Sequence, residues 1–208
     1  MRQEFEVDTP MGLPPMFCWT KYGTEAGETA ETILRRKEAE RNLNGGVFLW
    51  GIGNAIGPSI EHLLEETSTP RVVFTPMLSR PAAKDIAPPA VGMWRRGVGM
   101  DGTEVELPEH SRVTSRLSNS GRAHYALVCR SVEPLFDGGT RSAEEGFEAA
   151  HVVNLRSGSR VGASQVTSVV RRVACALGSG RKSYQVTFVA DLVAPYLIRL
   201  TDHVVVSA

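Results

Sequence analysis

Hydrophobic residues fall in short runs along the 208-residue chain, and the spacing within each run predicts its element. Residues 16–22, MFCWTKY, are aromatic and apolar between Pro15 and Gly23, which reads as a strand. Residues 30–43, AETILRRKEAERNL, are rich in helix formers and place Glu and Arg or Lys at helical spacing; they predict an exposed helix ended by Asn44-Gly45-Gly46. A buried-type strand, VFLW at 47–50, comes next. After three glycines, residues 59–66, SIEHLLEE, predict a short helix with Ser59 or Pro58 at its start. Residues 71–78, RVVFTPML, form the third strand. The prolines of 79–90, SRPAAKDIAPPA, remove backbone donors and fix φ, so that stretch is loop. Residues 91–99, VGMWRRGVG, and 122–132, RAHYALVCRSV, read as strands joined by a polar connection containing SRLSNSGR, the kind of loop that lies beside a site.

Residues 136–146 carry three glycines and no apolar pattern, and bridge to a second portion. Its expected elements are a strand in AHVVNLR (150–156), a helix in SQVTSVVRRVACAL (164–177), and strands in YQVTFVADLV (184–193) and HVVVSA (203–208). In the helix, Val166, Val169, Val170, Val173 and Leu177 follow the i, i+3, i+4, i+7 rule, and Arg171 and Arg172 fall outside the stripe. The chain divides on this reading into an arm (1–15), a core (16–135) and a C-terminal extension (147–208) that packs on or completes the same domain. There is no internal repeat.

Composition narrows the class. The length suffices for one well-packed domain without disulfide staples. Cys18, Cys129 and Cys175 are odd in number, far apart and set in apolar runs, which suits reduced core thiols rather than a disulfide framework or a zinc site. The start, MRQEFEVDTP, has neither a basic nor a hydrophobic stretch, and no apolar run approaches the roughly 18 residues of a membrane span, so the expectation is a soluble, cytoplasmic protein without a membrane partner. Net charge is zero but unevenly placed: six Lys/Arg against eleven Asp/Glu in 1–70, nine against five in 71–130, and seven against two from 151 onward. A basic face assembled from the middle and C-terminal segments therefore stays open.

Candidate chemistry changes this picture less than it first promises. Gly51-x-Gly53-x-x-x-Gly57 follows a strand and precedes a helix, as a nucleotide loop does, but the spacing is not G-x-G-x-x-G, Pro58 sits at the helix start, and the next strand ends in TPMLS without a ribose-binding acid. No Gly-Lys-Ser/Thr, G-x-S-x-G or His-Glu-x-x-His is present, so no cofactor is expected. His62, His110, His124, His151 and His203 are scattered, which reads as surface or hydrogen-bonded histidine; Ser157, Ser159 and Ser164 in SGSRVGASQ read as turn and helix-cap residues.

The order of an aromatic strand with a lysine (FCWTKY), a helix, a Gly-strand-Trp segment with a glycine/asparagine turn (GGVFLWGIGN), a Leu-containing helix (SIEHLLEE) and an apolar strand (RVVFTPML) resembles the PUA-like superfamily, in particular its YTH and EVE branches. Trp50, Asn54 and Leu63-Leu64 occur in the YTH order; Trp50-Gly51-Ile52 stands where YTH domains have Trp-Ala-Thr. The resemblance covers residues 16–80 and more loosely 81–135. It implies an α/β (α+β) fold with a curved, barrel-like mixed sheet flanked by helices, here with a C-terminal strand-helix-strand extension. It also implies a non-catalytic module that binds DNA or RNA through a flipped, modified base.

Such a site needs aromatic walls, polar edge readers and basic phosphate contacts. The chain offers Trp19, Trp50 and Trp94 as walls, Thr20 and Asn54 as edge readers, and Lys21, Arg95, Arg96, Arg116 and Arg122 as backbone contacts. Each tryptophan also fits a core position, and Asn54 a left-handed turn. Arg95 and Arg96 are adjacent strand residues, so at most one faces a given groove. Two alternatives stay open: an enzyme acting on nucleic acid or a nucleotide, with NLRSGSRVGASQ supplying the chemistry, and an interaction protein whose C-terminal strands pair with a partner or a second copy.

Overall fold

The computed structural model describes residues 13–23, 28–53, 55–77, 91–114, 124–136, 146–177 and 182–205. The first half follows the sequence pattern: β1 (Met16–Tyr22), α1 (Ala30–Leu43), β2 (Val47–Ile52), α2 (Gly57–Glu66) and β3 (Arg71–Pro76). Thr29 caps α1 by accepting from the Thr32 N–H at 3.1 Å, and Gly45 and Gly46 end it at φ 61° and 96°, values that cost glycine little. α2 begins at Gly57, two residues before Ser59, with Pro58 in its first turn where its missing N–H matters least. The chain continues through β4 (Val91–Gly99), β5 (Glu104–Glu106), β6 (Arg112–Thr114) and β7 (His124–Arg130).

The C-terminal portion departs from the expected strand-helix-strand. It contains β8 (Gly146–Glu148), a 3-10 turn (Ala149–His151), β9 (Val152–Asn154), β10 (Thr167–Arg172), β11 (Ser183–Gln185) and β12 (Phe188–Val205). The helix expected over 164–177 is absent, and strand β10 occupies its centre. Its Ser168, Val169 and Val170 are buried in succession, because β10 lies between β1 and β9 with packing on both faces. A strand buried on both sides loses period-2 alternation, so its valines also match a helical stripe; the β-branched run then favours the extended chain. The strand expected at 203–208 is instead, through Val205, the end of β12.

Ten strands form one mixed sheet in the order β2-β7-β12-β3-β1-β10-β9, with β4 pairing β12, β5 and β6; β8 and β11 form a separate ribbon. β1 and β3 run parallel, joined through α1, β2 and α2, and the other pairings are antiparallel. β12 pairs β3 through Phe188–Asp191 and β4 from Ile198 onward, changing partners across a bulge between Leu192 and Leu197 that contains a cis Ala194-Pro195 bond. The architecture is therefore mixed α/β, mostly strand, with two α-helices among the described residues. Among the described residues β2 pairs only with β7 and β6 only with β4, so backbone pairing does not close a barrel.

Three apolar clusters form among the described residues. One lies between the sheet and the helices and includes Phe48, Trp50, Ile60, Leu63, Phe74 and Phe188. A second lies on the other face of β1, β3 and β10, where the β8–β11 ribbon covers Phe17, Trp19 and Val73 with Phe147 and Tyr184. The third gathers Leu49, Trp94, Val113, Ala126, Val128, Ile198 and Leu200 inside the curl of β2, β7, β12, β4 and β6.

The exposed helix foreseen for α1 is partly wrong: its inward face buries Ile33, Leu34 and also Lys37 and Glu40. The Lys37 ammonium bonds the Glu40 carboxylate at 2.7 Å and donates to the carbonyls of Leu49 on β2 and Arg112 on β6. Glu40 in turn accepts from the Leu49 N–H at 2.8 Å. The pair thus satisfies the outward backbone groups of Leu49 on β2, an edge strand, and bridges the seam to β6.

Candidate functional site

The three tryptophans do not come together. On β2, Phe48, Trp50 and Ile52 point toward the helices while Leu49 points into the curl, the alternation a strand imposes. Trp50 is 7% exposed, edge-on to Phe74 at 4.8 Å and to Tyr22 at 6.1 Å. Trp94 is 6% exposed inside the curl, near His124. Trp19, 2% exposed, donates from Nε1 to Thr75 Oγ1 at 2.9 Å and meets Phe147 and Tyr184 edge-on at 5.0 and 4.7 Å. Each ring belongs to a different cluster, so the expected pocket with three tryptophan walls is not formed.

Other candidates separate in the same way. Thr20 is fully buried, its hydroxyl 3.0 Å from that of Thr167 across the β1–β10 ladder. Arg95 and Arg96 are both exposed on β4, but Arg96 stands opposite Glu106 on one side and Asp202 on the other, carboxylates that offset its charge. Asn54, Arg116 and Arg122 lie outside the described residues. Gly51 is explained by packing: a Cβ there would sit 2.6 Å from Val113 Cγ1, so glycine lets β2 approach β6.

The cysteine reading needs one correction. Cys18 and Cys129 are buried, and desolvation pushes the Cys18 thiol up to about 12 and Cys129 well above its ordinary value. Cys175 is exposed, because Val173–Leu177 leaves β10 and runs along the surface instead of forming a helix turn.

Lys21 is the sequence candidate that the fold sets in a distinctive environment. It follows Trp19 by two residues on the same face of β1 and is only 5% exposed. Its ammonium sits 4.4 Å from the Trp19 ring centroid and 5.2 Å from that of Tyr184, a cation–π arrangement. Its hydrogen bond is a long one, 3.4 Å to the Ala163 carbonyl, and among the described residues no carboxylate lies within ion-pair distance. Burial lowers its pKa from 10.5, and the nearby positive charge of Lys182 lowers it further.

Beyond Tyr184 a cleft of about 470 Å³ opens between the ribbon and the end of β10, with Phe147, Glu148, His151, Arg172, Ser183 and Tyr184 among its walls. The segments that form it carry charge of one dominant sign. Across 146–177 and 182–186 the described residues include Arg156, Arg160, Arg171, Arg172 and Lys182 and the single carboxylate Glu148. The sequence reading missed Phe147, Tyr184, Lys182 and Arg172 as neighbours of one site. The valine periodicity puts Arg172 on the polar side of a helix, and the ribbon residues lie more than 120 positions from Lys21. The one available signal was the seven-to-two charge excess after residue 150.

The NLRSGSRVGASQ segment makes turns. Asn154 Oδ1 accepts from the Arg156 and Ser157 N–H groups, the Ser157 and Ser159 hydroxyls bond each other at 2.6 Å, and Gln165 bonds Gly162 and Ser168. No cluster of three or more metal-ligating side chains occurs among the described residues, and no described helix is long and apolar enough to cross a membrane. No protein-family model, curated protein or solved structure matches the chain.

Proposed function

We propose that the protein is a non-catalytic nucleic-acid-binding module, related to the PUA-like superfamily, whose contact surface is the basic end of the sheet around the β8–β11 ribbon. The observation that carries this reading is the excess of Arg156, Arg160, Arg172 and Lys182 over one carboxylate, Glu148, among the described residues of 146–177 and 182–186; Arg171, next to Arg172 on β10, faces the other side of the sheet. Phosphate neutralisation supplies most nonspecific affinity, and these basic side chains form no ion pair among the described residues. The order β1, α1, β2, α2, β3 supports the kinship. For the finer reading, a flipped and modified base, the support is the cleft: its volume lies in the range of small-ligand sites, and Phe147 and Tyr184, although packed on Trp19, are among its walls.

The test is fluorescence anisotropy with single- and double-stranded DNA and RNA oligonucleotides over a series of salt concentrations. Affinity should fall with a log–log slope of about −0.7 per phosphate contacted on single strands and about −0.9 on duplex. Arg156→Glu with Arg160→Glu, both on the exposed turn, should weaken binding and flatten that slope without moving the melting temperature. Absence of binding at low salt, or an unchanged slope in the charge-reversed protein, refutes the proposal. Modified and unmodified oligonucleotides compared in the same assay decide the base.

A further inference from the structure

Among the described residues two lysines are covered by the fold, and their surroundings differ. Lys37 receives a carboxylate and two backbone carbonyls, which accounts for its three N–H donors. Lys21, covered as a residue but with its ammonium less deeply buried than that of Lys37, has one long contact to Ala163, two aromatic faces and a like charge from Lys182. Desolvating an ammonium without a counter-ion is costly, and a second cation beside it adds to that cost. Such an arrangement is relieved by an anion rather than by anything the described residues supply.

We propose that Lys21 and Lys182 frame a site for a phosphoryl-type oxyanion at the end of β1, bordered by Tyr184 and by the turn that carries Ala163. Lys21 has donors to spare, and oxyanion oxygens accept several at once; two lysines match the nearly two charges of a phosphate or phosphomonoester better than the one charge of a carboxylate, while a phosphodiester offers the same oxygens. The turn is held independently of any ligand: the Lys21 N–H donates to the Val166 carbonyl at 2.9 Å, and Gln165 ties Gly162 to Ser168. Trp19 is fixed by Thr75, so the aromatic floor beneath Lys21 is also in place beforehand. The same chemistry is offered by a free phosphate or nucleotide and by a nucleic-acid backbone, so the site stands apart from the nucleic-acid reading.

The experiment titrates inorganic phosphate against the full chain at constant ionic strength, with chloride as control, and reads both the melting temperature and the Lys21 Nζ signal by lysine-selective NMR. The expected result is a saturable rise in melting temperature and movement of the Lys21 signal with phosphate but not chloride. Lys21→Met should abolish the response and melt higher than wild type in phosphate-free buffer, since the uncompensated charge is gone while the stem remains. Lys182→Met should weaken phosphate roughly fivefold, the effect of one exposed charge. An equal phosphate response in wild type and Lys21→Met overturns the site; if Lys21→Met folds poorly, a Lys21 signal indifferent to phosphate in the wild-type protein overturns it. With the site upheld, an oligonucleotide that competes with phosphate for Lys21 identifies the backbone as its source, and one that leaves Lys21 unmoved identifies a free phosphoryl ligand. A phosphate-responsive Lys21 in a protein that binds no oligonucleotide upholds the site and refutes the nucleic-acid function, whereas oligonucleotide binding with Lys21 indifferent to phosphate does the reverse.

Discussion

Replacing Glu40 by Gln tests the seam between β2 and β6. The Lys37 and Glu40 side chains are 3% and 0% exposed, and the carboxylate supplies the counter-charge to the ammonium and an acceptor for the Leu49 N–H. Gln keeps the length and one acceptor oxygen, so the substitution removes chiefly the charge. Breaking one side of a buried ion pair costs about 3–5 kcal/mol, because the remaining charge stays desolvated. At roughly 2–4 °C per kcal/mol for a domain of this size, the melting temperature should fall by about 6–20 °C. Urea unfolding followed by tryptophan fluorescence and circular dichroism provides the measurement, and an unchanged m-value shows that the loss is in stability. Lys37→Met and the double variant complete a cycle. The double variant should recover part of the loss but not all, since the Leu49 and Arg112 carbonyls lose their donor, at about 1–3 kcal/mol for each buried group left unmet. A Glu40→Gln cost below about 1 kcal/mol would refute the claim that the pair holds the seam.

Three further expectations follow from the packing and the charges. Trp50→Ala should destabilise by about 3–5 kcal/mol in urea unfolding, as truncation of a buried aromatic does, while the gentler Trp50→Phe leaves oligonucleotide affinity unchanged; lost affinity in a folded Trp50→Phe protein would return Trp50 to the site. Gly51→Ala should cost about 1–3 kcal/mol by driving Cβ into Val113, and Val113→Ala in the same chain should relieve part of that; a neutral Gly51→Ala would mean that β2 and β6 can separate freely. The pH dependence concerns Lys21, faced by Lys182 and Tyr184. Its folded pKa lies below the ordinary 10.5, so between the two values the unfolded chain holds more protons and stability rises with pH, while phosphate affinity, which needs the ammonium, falls over the same interval. The difference between wild type and Lys21→Met isolates this contribution; parallel stability profiles for the two proteins would contradict it.

Local signals carried the first half of the fold well because each was complete within a few residues. The Ala30–Leu43 helix has its cap at Thr29 and its stop at Asn44-Gly45-Gly46, and β1 to β3 are aromatic or β-branched runs with clear ends. The 164–177 segment failed because periodicity assumes one solvent-facing side, and β10 has none over Ser168–Val170. Residue type brought Trp19, Trp50 and Trp94 together as aromatic walls, but alternation along a strand and the separation of β1, β2 and β4 sent them to three clusters. Lys21 was legible as a basic residue beside aromatic ones. Its burial was not, since Tyr184 and Lys182 reach it only through the ribbon.

By itself, then, the sequence determined the two helices, the principal strands of the first half and the basic excess of the C-terminal part, all properties of residues near one another along the chain. Tertiary structure alone decided that β10 and β12 run through the body of the sheet and that Lys37 and Glu40 turn inward. It also decided that Lys21 lies against the rings of Trp19 and Tyr184, within reach of the positive charge of Lys182. The physical reason is the same in each case. Burial and charge compensation depend on what the fold brings from distant positions, and neither propensity nor spacing records which groups those will be.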